Sequence, residues 1–412
     1  MRHRVAVTGM GVVAPGAGSA RELRDRLLAG LSGVGPITIF DPASLPTRIA
    51  GEARLPARFP LRDRKIAFAL EAARQAWEQA SAPGTRPAGD DASASMGVGL
   101  ELFAMEDLVR SETPGFALPD GLEERLGFMQ TPSDLCVHLM AREYGLGRPP
   151  VVHVSACAAG TDAVGSAARM IAEGRRRWMM AGGTDSMLNP LGVAGFCALN
   201  ATTTRNDEPG RASRPFDRTR DGFVMGEGAG VLVLERLDDA LARGAPVLAE
   251  IAGYGSSFDA HGISEPHPEG RGAYQAMQRA LDDAGIDAGQ IDYVNAHGTG
   301  TPKNDPAETL ALKRLLGDRA QDVPVSSTKS MIGHLISAAG AVEAIASILC
   351  MTEDMVHPTI NLHEPDPACD LDYVPGKARP RAQRYVLSSS FGFGGQNASI
   401  VIRNGRDALA AR

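Results

Sequence analysis

The sequence predicts an α/β protein made of two related halves. Short apolar strands alternate with segments of helical apolar spacing along the chain. The segment PVVHVSACAAGTDAVGSAARMIAE (150–173) resembles VPVSSTKSMIGHLISAAGAVEAIASIL (323–349), since each runs strand, serine-rich turn and small-residue helix. VAVTGMG near the start is echoed by AEIAGYGSS at 249–257. These echoes indicate a duplication whose first half ends near residue 247, although a Gly/Ala-rich chain also produces such echoes by chance.

Composition limits the classes of function. The chain has 412 residues with a net charge of −7 and an isoelectric point of about 5.8, which argues against nucleic acid as the main partner. No apolar run approaches the length of a membrane span, and the N-terminus is typical of a strand and turn, not of a signal peptide. We therefore expect a cytoplasmic protein without membrane association.

The five cysteines indicate free thiols in a reducing compartment. Their number is odd, and no CxxC or Cys/His metal spacing occurs. No metal site is predicted from this pattern. The cysteines are Cys136, Cys157, Cys197, Cys350 and Cys369.

The predicted elements of the first half lead to one cysteine. An N-terminal strand is followed by helical segments and by a polar stretch, TRPAGDDASAS (85–95), that is predicted to be a surface loop. A β-branched strand then ends just before Cys157, and a helix of small residues follows. A helix start at this point would direct free N–H groups and a positive dipole end at the sulfur, which favours a thiolate. The alternative is an inert core cysteine, the interpretation we apply to the other four.

Two histidines occupy comparable junctions in the second half. His297 lies in DYVNAHGTGTP at a strand end, and His334 lies in SSTKSMIGHLISAAG between a strand and a helix. Each on its own is also compatible with a hydrogen-bonded structural histidine. Because strand ends of an open α/β sheet converge on one edge, we expect both imidazoles to lie near Cys157. A thiol with two imidazoles is suited to acyl transfer.

Five motifs, in this order, resemble the β-ketoacyl-acyl carrier protein synthases. They are VSACAAG, FDRTRDGFVMGEGAGVLVLE, NAHGTGTP, KSMIGH and SSFGFGGQNAS. The similarity runs nearly end to end and is strongest to elongating synthase II enzymes and to ketosynthase subunits of type II polyketide systems. It implies a thiolase fold, with duplicated βαβαβαββ halves in five layers (α-β-α-β-α). Residues 1–247 would carry the nucleophile, and residues 248–412 the two catalytic histidines.

The resemblance also implies roles for the central residues. Cys157 would be the nucleophile that accepts the acyl chain, and the backbone N–H groups of Cys157 and Phe393 would form the oxyanion hole. His297 and His334 would promote decarboxylation of malonyl-carrier protein and stabilise the enolate. Phe393 corresponds to the residue that acts as a gate between the two half-reactions in this family. Without the resemblance, an aromatic residue in a Gly-rich loop is equally compatible with a purely structural role in the core.

The remaining site residues are carried over in the same way. Lys329 would give electrostatic support in a pair with Glu343, although a surface lysine is the alternative. Thr299, Thr301 and Ser264 would bind the phosphopantetheine arm of the carrier protein, and are otherwise ordinary turn residues. No other cofactor is expected.

Three departures from the family pattern affect the substrate. MGVGLELFAMEDL (96–108) replaces the usual glycine-rich stretch and is expected to line the acyl tunnel or a dimer interface. The PKNDPAET segment after HGTGT is closer to polyketide and polyene ketosynthases. Gln396 stands where threonine is usual, and we expect it to alter packing near His297.

The expected partners are an acyl carrier protein and a second subunit. The subunit is either a copy of this chain or a ketosynthase-like chain-length factor. Docking of an acidic carrier protein would need a basic patch. Its candidates are Arg62, Arg64, Lys65, Arg211, Arg214, Arg218 and Arg220.

The leading hypothesis is condensation in type II polyketide or polyene biosynthesis. The alternatives are a housekeeping fatty acid elongation synthase II and a noncatalytic partner subunit resembling a chain-length factor. The presence of Cys157, His297 and His334 argues against the noncatalytic alternative.

Overall fold

Ten strands form one mixed sheet. The two halves of the sheet have equivalent strand orders when each is followed outward from the centre. The structure, a computed structural model, describes residues 2–54, 62–82, 84–87, 90–103, 105–118, 120–121 and 130–410. The strands of the first half are β1 (Val5–Val13), β2 (Ala92–Val98), β3 (Val151–His153), β4 (Trp178–Asp185) and β5 (Gly228–Arg236). Those of the second half are β6 (Ala249–Phe258), β7 (Tyr293–Asn295), β8 (Val325–Ser326), β9 (Tyr385–Phe391) and β10 (Gln396–Asn404).

The strand order demonstrates the predicted duplication. Outward from the centre, the first half runs β1-β5-β4-β2-β3 and the second runs β6-β10-β9-β7-β8. In both halves the inner pairings are antiparallel and the outer two are parallel. The halves join where β1 and β6 pair antiparallel, with Ala6 opposite Glu250. The segments that echo each other in the sequence are therefore equivalent strands, and the predicted boundary at residue 247 falls just before β6.

The helices complete five layers, as the predicted fold class requires. They are α1 (Ala20–Ala29), α2 (Arg64–Ala80), α3 (Met105–Ser111), α4 (Leu135–Tyr144), α5 (Ala159–Ala172), α6 (Pro190–Ala198), α7 (Leu237–Ala242), α8 (Arg271–Ala284), α9 (Asn304–Leu316), α10 (Lys329–Ile332), α11 (Ala339–Thr352) and α12 (Gly405–Ala410). Helices α2 and α4 cover the outer face of the first half-sheet, and α8 and α9 cover that of the second. Helices α5 and α11 fill the layer between the half-sheets, inside the largest apolar cluster.

Small residues let the two central helices approach closely. A Cβ atom on Gly160 of α5 would lie 2.9 Å from the backbone of both Ser337 and Ala341, and one on Gly340 of α11 would collide with Thr161. Real Cβ atoms do not come this close, so both positions require glycine. The helix that follows Cys157 is thus packed directly against the second half of the molecule.

The predicted loop at 85–95 is only partly correct. Residues 85–87 form neither helix nor strand, but Ala92 to Ser95 belong to β2. Ser93 and Ser95 are fully buried, and the Ser93 hydroxyl donates a hydrogen bond of 2.7 Å to the Pro149 carbonyl. Alternating alanine and serine suits a strand with parallel neighbours on both sides, although the composition is typical of loops.

Several short pairs of strands lie outside the main sheet. They are Gly35–Pro36 with Ile49–Ala50, Leu102–Phe103 with Gln130–Thr131, and Met355–Val356 with Arg379–Pro380. In the part of the chain that the structure describes, no helix has both the length and the apolar character to cross a bilayer.

Candidate active site

Cys157 lies in a strained turn between β3 and α5. The turn spans Ala156–Ala158, and Ala156 adopts a left-handed backbone conformation with φ of 48°. The equivalent turn in the second half spans Ile336–Ala338, where Ile336 has φ of 45°. Residues with a Cβ rarely adopt this conformation, so its repetition marks both turns as specially constrained. Cys157 is 3% exposed, which shields the sulfur from bulk water.

His334 directs its Nε2 atom at the sulfur. The distance from Nε2 to Cys157 Sγ is 3.0 Å, and Nδ1 accepts a hydrogen bond of 3.2 Å from the backbone N–H of Ile336. A nitrogen that accepts a hydrogen bond carries no proton, so in a neutral ring the proton is on Nε2. Burial, reinforced by the nearby Lys329 ammonium, holds the pKa of His334 well below its usual value. His334 is therefore a neutral imidazole whose N–H points at the reacting sulfur.

His297 lies beside His334, with ring centroids 5.3 Å apart at an interplanar angle of 83°. Its loop is held by the buried Glu308 carboxylate, which accepts hydrogen bonds from the backbone N–H groups of His297 (2.7 Å) and Gly298 (2.8 Å). Burial, together with the charge of Lys329, also holds the pKa of His297 well below its usual value. Its Nδ1 has no hydrogen-bond partner among the described residues.

The structure thus brings together the three residues that the sequence analysis placed at one edge. One side-chain atom from each of Cys157, His297 and His334 lies within 4.8 Å of the others. A thiolate and two imidazoles are also a donor set that suits Zn²⁺, so this cluster is the place where the described residues could hold a metal ion.

The expected thiolate is not the resting state of Cys157, and the sequence-based expectation is wrong on this point. Burial raises the pKa of the thiol to about 11. The backbone N–H groups of Phe393 and Cys157 and the Lys329 ammonium act in the opposite direction but do not overcome the loss of water. Helix α5 begins only at Ala159, two residues after the cysteine, and its N-cap residue is Ala158 and not Cys157.

This pKa predicts the pH dependence of Cys157 alkylation. Only the thiolate reacts with iodoacetamide, so the rate at Cys157 should keep rising about tenfold per pH unit from pH 7 to pH 9.5. An unstructured peptide that contains one cysteine, with a thiol pKa of about 8.5, should level off within that range. The measurement is the rate of mass gain at the Cys157 peptide. A plateau below pH 8.5 would show that the folded protein stabilises the thiolate.

Lys329 and Glu343 form a buried ion pair behind the histidines. Both side chains are 1% exposed, and the Lys329 ammonium is in direct contact with the Glu343 carboxylate. Burial raises the pKa of Glu343 to about 7, against the opposing effect of Lys329. This is the pairing that the resemblance implied, and the Lys329 charge adds to burial in lowering the pKa of both imidazoles.

A cavity of about 350 Å³ opens over the cluster. Thr299 and Thr301 line it with their hydroxyl oxygens 2.9 Å apart, and Ser264 lies at its exposed edge. These are the three residues predicted to bind the phosphopantetheine arm. The structure places them along the route to the sulfur, which is compatible with that role but does not test it.

A second cavity of about 410 Å³ lies on the other side of Phe393. Phe393 lines both cavities and stacks on Phe196 at a centroid distance of 6.2 Å. Val98 and Leu100 also line the second cavity, so the described part of segment 96–108 lies where a tunnel lining was expected. Residue 104 and the side chains of residues 102, 103 and 105 lie outside the described part. The proposed gate remains a prediction.

Gln396 does not lie where the sequence analysis expected it. It lines the second cavity, whereas its neighbour Asn397 lines the cavity that contains His297. Successive residues of a strand point to opposite faces, and Gln396 is the first residue of β10. Gln396 therefore lines the cavity behind Phe393 and does not affect packing near His297.

Most of the candidate docking residues do not form a free basic patch. Lys65 is buried in a pair with Asp63, and Arg220 has a 5% exposed side chain that pairs with Asp366 at 2.6 Å. Arg64 pairs with the buried Glu227. The other candidates with carboxylate contacts are Arg62, Arg211 and Arg218, which pair with Asp107, Glu208 and Glu364. These arginines and this lysine were predicted from local composition, which does not reveal distant carboxylates.

Two contributors were missed by the sequence analysis. The backbone N–H of Ile336 fixes the His334 tautomer, and a backbone group leaves no signal in the sequence. Asp185, at the end of β4, accepts a hydrogen bond of 3.0 Å from the N–H of Ser337 and so ties the end of β4 to the Ile336–Ala338 turn. Its place at a strand end, like that of the histidines, could have identified it.

Comparisons with known proteins are consistent along the whole chain. Residues 2–240 match the family described as "Beta-ketoacyl synthase, N-terminal domain", and residues 248–363 match "Beta-ketoacyl synthase, C-terminal domain". The chain is 41% identical to "3-oxoacyl-[acyl-carrier-protein] synthase 2" of Synechocystis sp., over 98% of each chain. It is 42% identical to "Putative polyketide beta-ketoacyl synthase 1" of Streptomyces halstedii, also over 98% of each.

Solved structures give the same result. A type II polyketide acyl-carrier protein in complex with its ketosynthase bound to the hexaketide matches with a TM-score of 0.86 and 33% identity, over 98% of this chain and 100% of that one. The ishigamide ketosynthase/chain length factor matches with a TM-score of 0.84 and 34% identity, over the same shares.

Proposed function

This chain belongs to the β-ketoacyl synthase family, and we propose on that basis that it is a β-ketoacyl-[acyl carrier protein] synthase. It is an acyltransferase that joins a Cys157-bound acyl chain to a malonyl unit by decarboxylative Claisen condensation. The observation that carries this proposal is the contact of 3.0 Å between His334 Nε2 and Cys157 Sγ, with a second neutral imidazole beside it. An acyl thioester on the sulfur and an enolate formed next to it would then lie side by side, the first facing backbone N–H groups and the second facing the imidazoles.

In the first half-reaction the acyl chain moves onto the enzyme. Cys157 Sγ attacks the thioester carbonyl, a bond from that carbon to Sγ forms, the bond to the phosphopantetheine sulfur breaks, and the thiol proton leaves with the carrier protein. The backbone N–H groups of Cys157 and Phe393, which already point at the sulfur, would hold the oxyanion. Preorganised donors of this kind contribute about 3–4 kcal/mol to such a step.

In the second half-reaction the malonyl carboxylate leaves as CO₂. The electron pair of the broken C–C bond forms an enolate, whose oxygen accepts hydrogen bonds from the imidazole N–H groups of His297 and His334. The enolate carbon attacks the Cys157 thioester carbonyl, the bond to Sγ breaks, and the sulfur regains a proton. Neutral imidazoles suit this task because they donate without surrendering a proton outright, and the lowered pKa values of both rings support it.

Binding of the substrate arm falls to the first cavity. We assign the phosphopantetheine arm to Thr299, Thr301 and Ser264, whose hydroxyls follow the route from the surface to the sulfur. The reaction is redox-neutral and decarboxylation supplies its carbanion, so the proposal includes no cofactor besides that arm.

The pathway is proposed to be type II polyketide or polyene biosynthesis. The PKNDPAET segment supports this choice, and the relatives include enzymes named for both polyketide and fatty acid synthesis. Fatty acid elongation is the second candidate. A noncatalytic partner subunit is not favoured, because the nucleophile and both imidazoles are assembled.

The partner subunit is proposed to pair along β3. This strand forms one end of the sheet, and it is bordered by Val152 (37% exposed), Val154 (69%) and Leu100 (63%). An apolar, unpaired edge of this kind needs a cover. A second copy of the chain and a ketosynthase-like chain-length factor both fit it. The five free cysteines support a reducing compartment such as the cytoplasm.

The proposal is tested with a panel of acyl-carrier proteins plus malonyl-carrier protein, with products identified by intact mass. We expect a β-ketoacyl product with loss of CO₂. Cys157→Gln should make less than about a thousandth of this product while still decarboxylating malonyl-carrier protein, because its amide imitates the acyl-enzyme and leaves both imidazoles in place. His334→Ala is the matched comparison and should lose decarboxylation as well. A Cys157→Gln variant inert toward malonyl-carrier protein contradicts the proposed division of roles.

A further inference from the structure

The cavity behind Phe393 is mainly apolar, but four polar residues also line it. Its apolar residues include Val98, Met187 and Phe196. This inference rests on the proposed function, because it places the acyl chain of Cys157 in the second cavity, which Phe393 separates from the first. A fully saturated chain would need nothing but apolar lining there.

Gln396 is one of the polar residues of this lining. It is half-buried, and the side-chain amide has no hydrogen-bond partner among the residues that the structure describes. Its backbone is well fixed, since its carbonyl accepts a hydrogen bond of 2.6 Å from the N–H of Gly392 and its Cα pairs with Phe258 of β6. Gln396 therefore carries a donor and an acceptor on a side chain that starts from a fixed backbone position in the cavity wall.

Three further polar residues border the same space, and one of them, Ser155, donates its hydroxyl hydrogen bond to Asp162. Ser337 and Asp185 line the cavity, and Asp185 Oδ1 has no hydrogen-bond partner among the described residues. An anionic group on the chain would be repelled by the Asp185 carboxylate. A neutral oxygen would meet complementary groups, because an amide can donate to a ketone and can also accept from a hydroxyl.

We propose that Gln396 is a specificity-determining residue that makes the acyl cavity prefer chains carrying a neutral oxygen, as a hydroxyl or ketone, over saturated chains of the same length. A saturated chain would cover the amide and strip its water without replacing the hydrogen bond, whereas an oxygenated chain would replace it. One neutral hydrogen bond corresponds to a preference of about three- to tenfold in kcat/KM.

The test uses octanoyl-carrier protein and its hydroxyl- or keto-bearing analogues, with the oxygen at C3, C5 or C7. The full-length protein is acylated and then condensed with malonyl-carrier protein, and kcat/KM is measured for each chain. We expect at least one oxygenated chain to exceed octanoyl by about three- to tenfold. Gln396→Leu should reduce that ratio to about one by raising the rate with octanoyl and lowering the rate with the oxygenated chain.

The controls separate selectivity from damage to the fold. Gln396→Asn keeps the amide and should retain part of the preference, whereas Met187→Leu, on the same cavity wall, should change both rates by the same factor. A wild-type ratio of one for every chain, or a ratio unchanged in Gln396→Leu, overturns the inference while the proposed function stands. No product from any chain overturns both. A change in the size-exclusion mass of Gln396→Leu with an unchanged ratio assigns the amide to the subunit interface instead, and also overturns the inference.

Discussion

Cys157→Ala is expected to lower the rate of β-ketoacyl product formation by at least about a thousandfold. Without the sulfur, no covalent bond holds the acyl chain on the enzyme while malonyl-carrier protein binds. The two imidazoles and the backbone N–H groups remain, and nucleophile removal in enzymes with such a preserved framework typically costs three or more orders of magnitude. The measurement is product mass and the absence of an acyl adduct on the intact protein.

A matched control is available in the same chain. Cys197 is also a free cysteine, half-buried near the site with its sulfur 3.4 Å from the Thr202 hydroxyl. Cys197→Ala should retain both the acyl adduct and the product. Condensation by Cys157→Ala at a rate near that of the wild type would remove the nucleophile assignment and the mechanism with it.

Glu343→Leu is expected to lower the free energy of unfolding by about 3–5 kcal/mol. The substitution leaves the Lys329 ammonium 1% exposed with no carboxylate in contact, and an unpaired buried charge is one of the most destabilising changes a single substitution can make. The double variant Lys329→Met/Glu343→Leu should recover most of the loss, because it removes both charges. Urea unfolding at a fixed protein concentration measures both effects.

An exposed ion pair provides the comparison. Lys303 and Glu265 are in direct contact, but their side chains are 61% and 48% exposed. Lys303→Met should therefore cost less than about 1 kcal/mol. Equal losses in Glu343→Leu and Lys303→Met would mean that water reaches the Lys329 pair, and the argument that the Lys329 charge helps to lower the pKa of both imidazoles would fail.

The convergence of the site could be predicted because its residues sit at strand ends. Cys157, His297 and His334 each follow a strand of the outer parallel part of a half-sheet, and the sequence shows these junctions as β-branched runs that end in glycine and small hydroxyl residues. The duplication was visible for the same reason, since each strand and its equivalent keep similar small residues. In these cases the local sequence pattern is enough to predict where a residue lies in the fold.

Properties that depend on distant packing could not be predicted. The protonation of Cys157 is set by burial between the two halves, which outweighs the local backbone N–H groups. The burial of Lys65 and Arg220 depends on carboxylates and walls that the local sequence does not show. Gln396 was expected to affect packing near His297 but lines the second cavity, because the side of the strand on which it lies depends on where β10 begins.

The repeat within the fold also determines which part of the chain is a complete catalyst. The constrained turn that ends in the nucleophile in one repeat has Ser337 at the matching place in the other, and only the other repeat supplies the imidazoles. Each repeat buries its central helix against its counterpart, so neither has a finished interior alone. The catalytic site therefore forms only where the two unequal repeats pack against each other. Mutations that weaken this packing should abolish activity without changing a residue of the site.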